Sequence, residues 1–197
     1  MTRWKDATFI FISTNARHDE EGVEALWLDV MEALAARGAT VRLLALSSSE
    51  TLERASERGI PVDVYTLDAW NVIRSRSRLR KYLRRYGPVA AHSTGLEADL
   101  MLRWAARRIP GMAVVHTLST SAQGTRRRRP IDALMRRFDE LGMRRAAAVF
   151  VEDEDLLVEV RSAGVPPERV LLESTAASLR PAVVERHLRL YQDLMAR

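Results

Sequence analysis

The sequence predicts a doubly wound α/β fold with a mostly parallel sheet and helices on both faces, on three observations. Short β-branched runs alternate with segments of helical period along the whole chain. Glycine, proline or polar residues punctuate the joins. The first strand run, Ala7–Ser13, carries consecutive apolar residues instead of alternating ones, as a strand covered on both faces does. Strands joined by helices cross over right-handedly and pair in parallel. A ligand of such a sheet sits at the carboxyl ends of its strands.

Ala7–Ser13 (ATFIFIS) reads as the first strand, followed by a polar loop over Asn15–Glu21. A helix then carries Val23, Leu26, Trp27, Val30, Met31 and Leu34 at spacings of three and four, and Gly38 closes it. Thr40–Leu46 is the second strand, and Ser47 to Ser49 supply caps for a short helix ending near Gly59. After Pro61, Val62–Leu67 is the third strand. A basic helix follows, with Leu79, Leu83 and Tyr86 inward and Arg76, Arg80 and Arg84 largely outward, stopped at Gly87-Pro88. Val89–His92 is the fourth strand; a helix over Glu97–Arg108 packs Leu100, Leu102 and Trp104; and Met112–Thr117 is the fifth strand. Ser119–Pro130 is a polar loop ending in Arg126 to Arg129, and a helix over Ile131–Arg145 leads into a sixth strand at Ala147–Val151. A helix over Asp153–Ala163, stopped by Gly164, precedes a seventh strand at Val170–Glu173. The last helix, Ala182–Met195, places Val184, Leu188, Tyr191 and Met195 on one stripe and His187 on its surface.

With 197 residues, 47% of them hydrophobic, the chain suffices for one domain with one core. It has no cysteine, which excludes a disulfide framework and cysteine-ligated metal and suits a cytoplasmic protein. The first apolar run is too short for a signal peptide, and no stretch is long enough to span a bilayer. The four histidines form no metal-ligand pattern, so no metal site is expected. The net charge of +5 is unevenly placed: ten basic residues lie between Arg74 and Arg108 against two acids, Glu97 and Asp99. Acids gather instead at Asp19–Glu24 and Glu152–Asp155. Such asymmetry marks either a surface that meets anions or a set of solvated helix faces. Arg76, Arg80, Lys81, Arg84 and Arg85, with Arg126, Arg127, Arg128 and Arg129, are the candidate anion-binding residues. Nucleic acid would use the same charge, but the chain shows no recognition helix and no basic–aromatic interleaving. A nucleophile elbow is approximated by Ala91-His92-Ser93-Thr94-Gly95, which lacks the first glycine; no later Asp and His are placed to complete a triad, and a plain strand-to-helix turn accounts for it.

The local strings carry more than the periodicity. Glu21-Gly22-Val23-Glu24 follows the first strand where a family-4 retaining glycosyltransferase has Gly-Gly-x-Glu. Arg37-Gly38-Ala39-Thr40-Val41 stands at the helix-to-strand turn, and Pro88-Val89-Ala90-Ala91-His92 is similar to that family's Pro-Asp-Val-Val-His strand. Val115-His116-Thr117-Leu118-Ser119 falls at its His-Thr-x-His. The sixth strand from Arg145 to Val151, the turn Gly164-Val165-Pro166-Pro167-Glu168-Arg169-Val170, and Leu179-Arg180-Pro181 as a linker complete the order. The chain thus resembles the N-terminal, acceptor-side, Rossmann-like half of the GT-B fold.

The resemblance implies a first domain over 1–181 and a closing helix over 182–197 that packs back on it, without the family's nucleotide-sugar domain. It implies a retaining, hexosyl-type transfer that needs a separate donor-binding subunit; no cofactor is expected, and a nucleotide sugar binds only with a partner domain. His92, His116, Thr117, Ser119 and Asn15 would line the acceptor cleft, and Gly22 and Glu21 would be the remnant of the phosphate loop. Two substitutions depart from the family pattern. Glu21 replaces a glycine, so a phosphate there would meet Asp19, Glu20 and Glu21 at a helix start, where acids favour the dipole but repel an anion. Ser119 replaces the histidine that contacts the donor sugar. His92 and His116 also fit as strand-end core residues. Further partners are a second copy across the exposed cleft and an anionic membrane surface at the inner face. The alternatives are a non-catalytic scaffold or regulator of the same fold, and a basic binder of membrane or nucleic acid.

Overall fold

Thr8–Ser13 (TFIFIS) forms β1, and its branched and aromatic residues are buried on both sides of the sheet. In the computed structural model, which describes residues 4–13, 23–46, 50–65, 72–118, 143–173 and 177–196, six further strands join it. These are β2 (Thr40–Ala45), β3 (Val62–Val64), β4 (Ala90–Thr94), β5 (Ala113–Leu118), β6 (Ala148–Val151) and β7 (Val170–Leu172). The order across the sheet is β3-β2-β1-β4-β5-β6-β7, and every pairing is parallel. The predicted doubly wound α/β fold is the one observed.

The helices among the described residues are α1 (Val23–Ala36), α2 (Glu50–Glu57), α3 (Val72–Tyr86), α4 (Leu96–Ala106), α5 (Glu154–Ser162) and α6 (Arg180–Met195). The chain winds outward from β1 twice. α1 and α2 serve the first half and pack on one face, where Leu26, Trp27, Met31 and Ala55 meet Phe9 and Phe11. α3 and α4 serve the second half and pack on the other face, where Leu79, Leu83, Met101 and Leu102 meet Ile10, Ile12 and Ala91. The winding reverses between β1 and β4, which opens the crevice of such a sheet at their carboxyl ends. Positive-φ glycines stop three helices with the same pair of bonds. After α1, Gly38 (φ 90) donates to Ala35 and the next residue, Ala39, donates to Leu34. Gly59 and Gly164 repeat the pattern after α2 and α5.

α6 returns to the α1 face. Val183, Leu188, Tyr191 and Leu194 are buried there, and the Tyr191 ring lies tilted at 5.0 Å from Phe9 and edge-on at 6.2 Å from Phe11. Arg186 donates to the carbonyl of Leu172 at 2.6 Å and so occupies an acceptor on the exposed edge strand β7. The sequence prediction for His187 is corrected here. It is fully buried, because its ring stacks on Phe150 at 4.0 Å and its Nε2 lies 2.8 Å from the equally buried Glu173 carboxylate. The alternation along α6 gave no sign of a partner carboxylate at the end of β7.

Candidate functional site

β4 supplies consecutive polar residues, His92 and Ser93, and the strand's period of two sends them to opposite faces. On the α1–α6 face, His92 is enclosed among Phe11, Trp27, Phe150 and Tyr191. Its Nδ1 meets the Tyr191 hydroxyl at 2.6 Å and its Nε2 meets Thr117 Oγ1 at 2.8 Å. Burial, with the nearby rings of His187 and His116, holds His92 well below the usual histidine range, so the ring is neutral. Burial, aided by the Glu173 charge, pushes the Tyr191 phenol well above its usual range.

On the opposite face lies a second network. Ser93 Oγ donates to Asp99 Oδ1 at 2.7 Å and lies 2.8 Å from His116 Nδ1, which is itself 3.0 Å from Asp99 Oδ1. Arg103 Nε donates to His116 Nε2 at 3.0 Å. An Asp and a His do meet Ser93, which its sequence neighbourhood does not signal. α4 starts directly after β4, so its fourth residue folds back over the strand, and His116 pairs with Ser93 in register on β5. The set is still no hydrolase triad. A triad places serine on Nε2 and aspartate on Nδ1. Here both crowd Nδ1, while Nε2 accepts from a guanidinium, which assigns the ring proton to Nδ1. Ser93, Asp99 and His116 are all fully buried. The arrangement anchors α4 to β4 and β5 and offers no nucleophile to a substrate.

Of the residues expected to line an acceptor cleft, the structure brings His92 and Thr117 into contact, and His116 joins Ser93 behind them. All three are interior, with their polar side-chain atoms engaged inside the protein. Asn15, Glu21, Gly22, Ser119 and Arg126 to Arg129 lie outside the described residues. What remains at the carboxyl edge of the crevice is the end of β1, with Ser13, and the turn from β4 into α4. There Thr94 is half-buried and paired in register with Ser13. Gly95 follows at φ 91 and caps α4 with no side-chain hydrogen bond. Gly95 itself offers no capping side chain to the first-turn N–H groups of α4.

The basic helix α3 is pinned to the sheet edge by a cluster the sequence did not reveal. Arg42 donates to Asp63 Oδ2 through Nε at 3.0 Å and Nη2 at 2.7 Å, and its guanidinium lies 4.5 Å from the centroid of the Tyr86 ring. Tyr82 donates to the same oxygen at 2.5 Å. Burial disfavours the charge on Asp63, but the hydrogen bonds from Tyr82 and Arg42 and the Arg42 charge outweigh it and hold the carboxyl below its usual range. On α3, Arg84 is exposed, while Arg76 and Arg80 are half-buried. Among the described residues no group of His, Asp and Glu could hold a metal, and no helix is long and apolar enough to cross a membrane.

The model of the glycosyl transferase 4-like domain matches residues 21–173. The chain belongs to that family. No curated protein sequence matches it. Solved structures match the fold of this glycosyl transferase 4-like domain. Anabaena HepE in complex with UDP and glucose is 13% identical with a TM-score of 0.63, over 86% of this chain and 44% of that one. UDP-GlcNAc 2-epimerase from Neisseria meningitidis bound to UDP-GlcNAc is 16% identical with a TM-score of 0.60, over 92% and 53%. A Thermosynechococcus elongatus chain titled sucrose-phosphate synthase, with the ranges 27–220 and 406–426, is 13% identical with a TM-score of 0.57, over 95% and 98%. The chain therefore spans about half the length of the first two and nearly the whole of the third. At these identities the likeness establishes the fold alone, which is Rossmann-like and shared with one half of GT-B proteins.

Proposed function

We propose that this domain binds the acceptor of a glycosyl transfer and takes its donor from a separate subunit that holds the nucleotide sugar. The observation that carries the reading is the family match over residues 21–173. The acceptor would lie at the carboxyl edge between β1 and β4, against Ser13, Thr94 and the amino end of α4. There, backbone N–H groups and hydroxyls suit a hydroxylated or anionic acceptor. The two buried histidine networks fix β4, β5 and α4 behind that edge and so set the position of the turn at Gly95.

One observation favours a second, non-catalytic reading. Each histidine among the described residues has both ring nitrogens in contact with an interior polar group. None is free to act as a general base. Thermal unfolding with a panel of nucleotides and nucleotide sugars separates the readings. A ligand at 100 times its Kd stabilises by ~2.7 kcal/mol, which raises the midpoint of a chain this size by roughly 5–10 °C. The domain alone should show no such rise, and sugar transfer should start only when a donor-binding subunit is added. A rise with one nucleotide sugar on the domain alone would overturn the need for a partner. A donor-binding subunit that docks yet yields no transfer would favour the scaffold.

A further inference from the structure

One turn of α6 grips the strand that leads into the turn at Gly95. His187 and Tyr191 stand above one another on that helix, and their rings lie 5.9 Å and 6.3 Å from the His92 ring. The Tyr191 hydroxyl meets His92 Nδ1 at 2.6 Å, while Thr117 on β5 meets Nε2 at 2.8 Å. His187 is itself fixed, by its stack on Phe150 of β6 at 4.0 Å and by the Glu173 carboxylate 2.8 Å from its Nε2. The turn beyond β4 has little of its own to hold it. Gly95 sits at φ 91, supplies no capping side chain, and accepts the first-turn hydrogen bond of α4 from the Asp99 N–H at 2.9 Å. Ser93 Oγ braces Asp99 from one face of the sheet, and the His92 ring braces β4 from the other. The outer attachments of α6 are of a weaker kind. Arg37 and Glu185 form a solvent-exposed pair, a class that contributes little, and Arg180 lies 3.7 Å from Asp29. The seat of α6 therefore rests on its inner face, where Val183, Leu188, Tyr191 and Leu194 are buried.

We propose that α6 is a conformational strut for the carboxyl edge of β4, and that Tyr191 is the positioning residue that couples the seating of α6, through His92, to the turn at Gly95. That this edge receives an acceptor rests on the function proposed above; the coupling itself does not. With α6 seated, both ring nitrogens of His92 are met and the ring is clamped between α6 and β5. If α6 lifts, Nδ1 loses its partner in a dry site, and the ring must move to find another. β4 is paired on both sides, to β1 and β5, so a displacement at His92 strains the pairing of Ser93 and Thr94 that positions Gly95. Whatever lifts or clamps α6 thus changes the order of the edge, and a ligand at the edge tightens α6 by the same factor.

The test is amide hydrogen exchange of the full chain, followed by NMR from zero to moderate urea. No acceptor or donor is added, so a failure here leaves the transfer reading standing, and a failure of that reading leaves the coupling standing. In the native chain the amides of Asp99 and Tyr191 should open in one step, with a shared urea dependence. In Tyr191→Phe, which keeps the ring and removes the hydroxyl, exchange at Asp99 should rise about tenfold or more. Leu156→Ala loosens α5, whose buried residues belong to a separate cluster away from His92, and should leave Asp99 near its native rate. If Tyr191→Phe does not fold, the urea dependence in the native chain decides. Independent opening of Asp99 and Tyr191, an unchanged Asp99 rate in Tyr191→Phe, or an equal rise in Leu156→Ala overturns the proposal.

Discussion

Acid should destabilise this protein through His92 well before its carboxylates protonate. His92 is 1% exposed, with Tyr191 at Nδ1 and Thr117 at Nε2. Phe11, Trp27 and Phe150 surround it, His187 stacks at 5.9 Å with Glu173 behind that ring, and His116 acts from across the sheet. The folded-state pKa lies well below the ordinary 6.5. Below that ordinary value the unfolded chain binds a proton that the folded chain refuses. The stability contributed by neutral His92 is therefore complete above about pH 6.5 and falls by ~1.4 kcal/mol per pH unit beneath it. The fall continues until pH reaches the folded-state pKa, and each full unit of it lowers the midpoint by roughly 3–6 °C. Asp63 does not confound this window. Its depressed pKa contributes stability that is lost only as pH falls below the ordinary aspartate value of 3.8. Urea unfolding followed by tryptophan fluorescence across this pH range measures the slope. His92→Gln should be less stable at neutral pH yet lose one proton's worth of slope. An identical slope in the variant and the native chain would refute the reasoning.

Substitutions at two positions test the networks on the two faces of β4. Tyr191→Phe keeps the packing on Phe9 but leaves His92 Nδ1 unmet in a dry site, so it should cost ~1–3 kcal/mol in urea unfolding, and Tyr191→Leu more. Ser93→Ala should leave hydrolysis of an activated ester at the solvent background, as in the native chain; a rate above background that depends on Ser93 would contradict the buried-anchor reading.

The fold was legible because its signals are local. The all-apolar run of β1, the three-and-four spacing from Val23 to Leu34 and the glycine stops each state a backbone preference within a few residues. The basic stripe of α3 was legible for the same reason. The polar interior was not. Nothing near His187 signals that the chain will bring Glu173 to it, and Arg42, Asp63 and Tyr82 are brought together only by the crossover from β2 to α3. Asp99 read as one of two acids in a basic stretch, when it is the buried acceptor for Ser93. Such pairings depend on sheet register and helix placement, which periodicity does not encode.

Register parity then explains why so few substitutions in β4 should be tolerated. The string Ala90-Ala91-His92-Ser93-Thr94 places small residues first, where α1 and α4 approach from either side, and polar residues after them. A slip of one residue against β1 and β5 would exchange the faces of His92 and Ser93. His92 would then face Asp99 and Arg103, while Ser93 would leave Tyr191 and Thr117 without a ring between them. Both networks would open at once. Hydrophobic burial alone would resist such a slip weakly, because Ala90 and Ala91 are interchangeable. The two buried histidine networks therefore specify the register of the strand that leads into Gly95 and the amino end of α4, the edge of the proposed acceptor site.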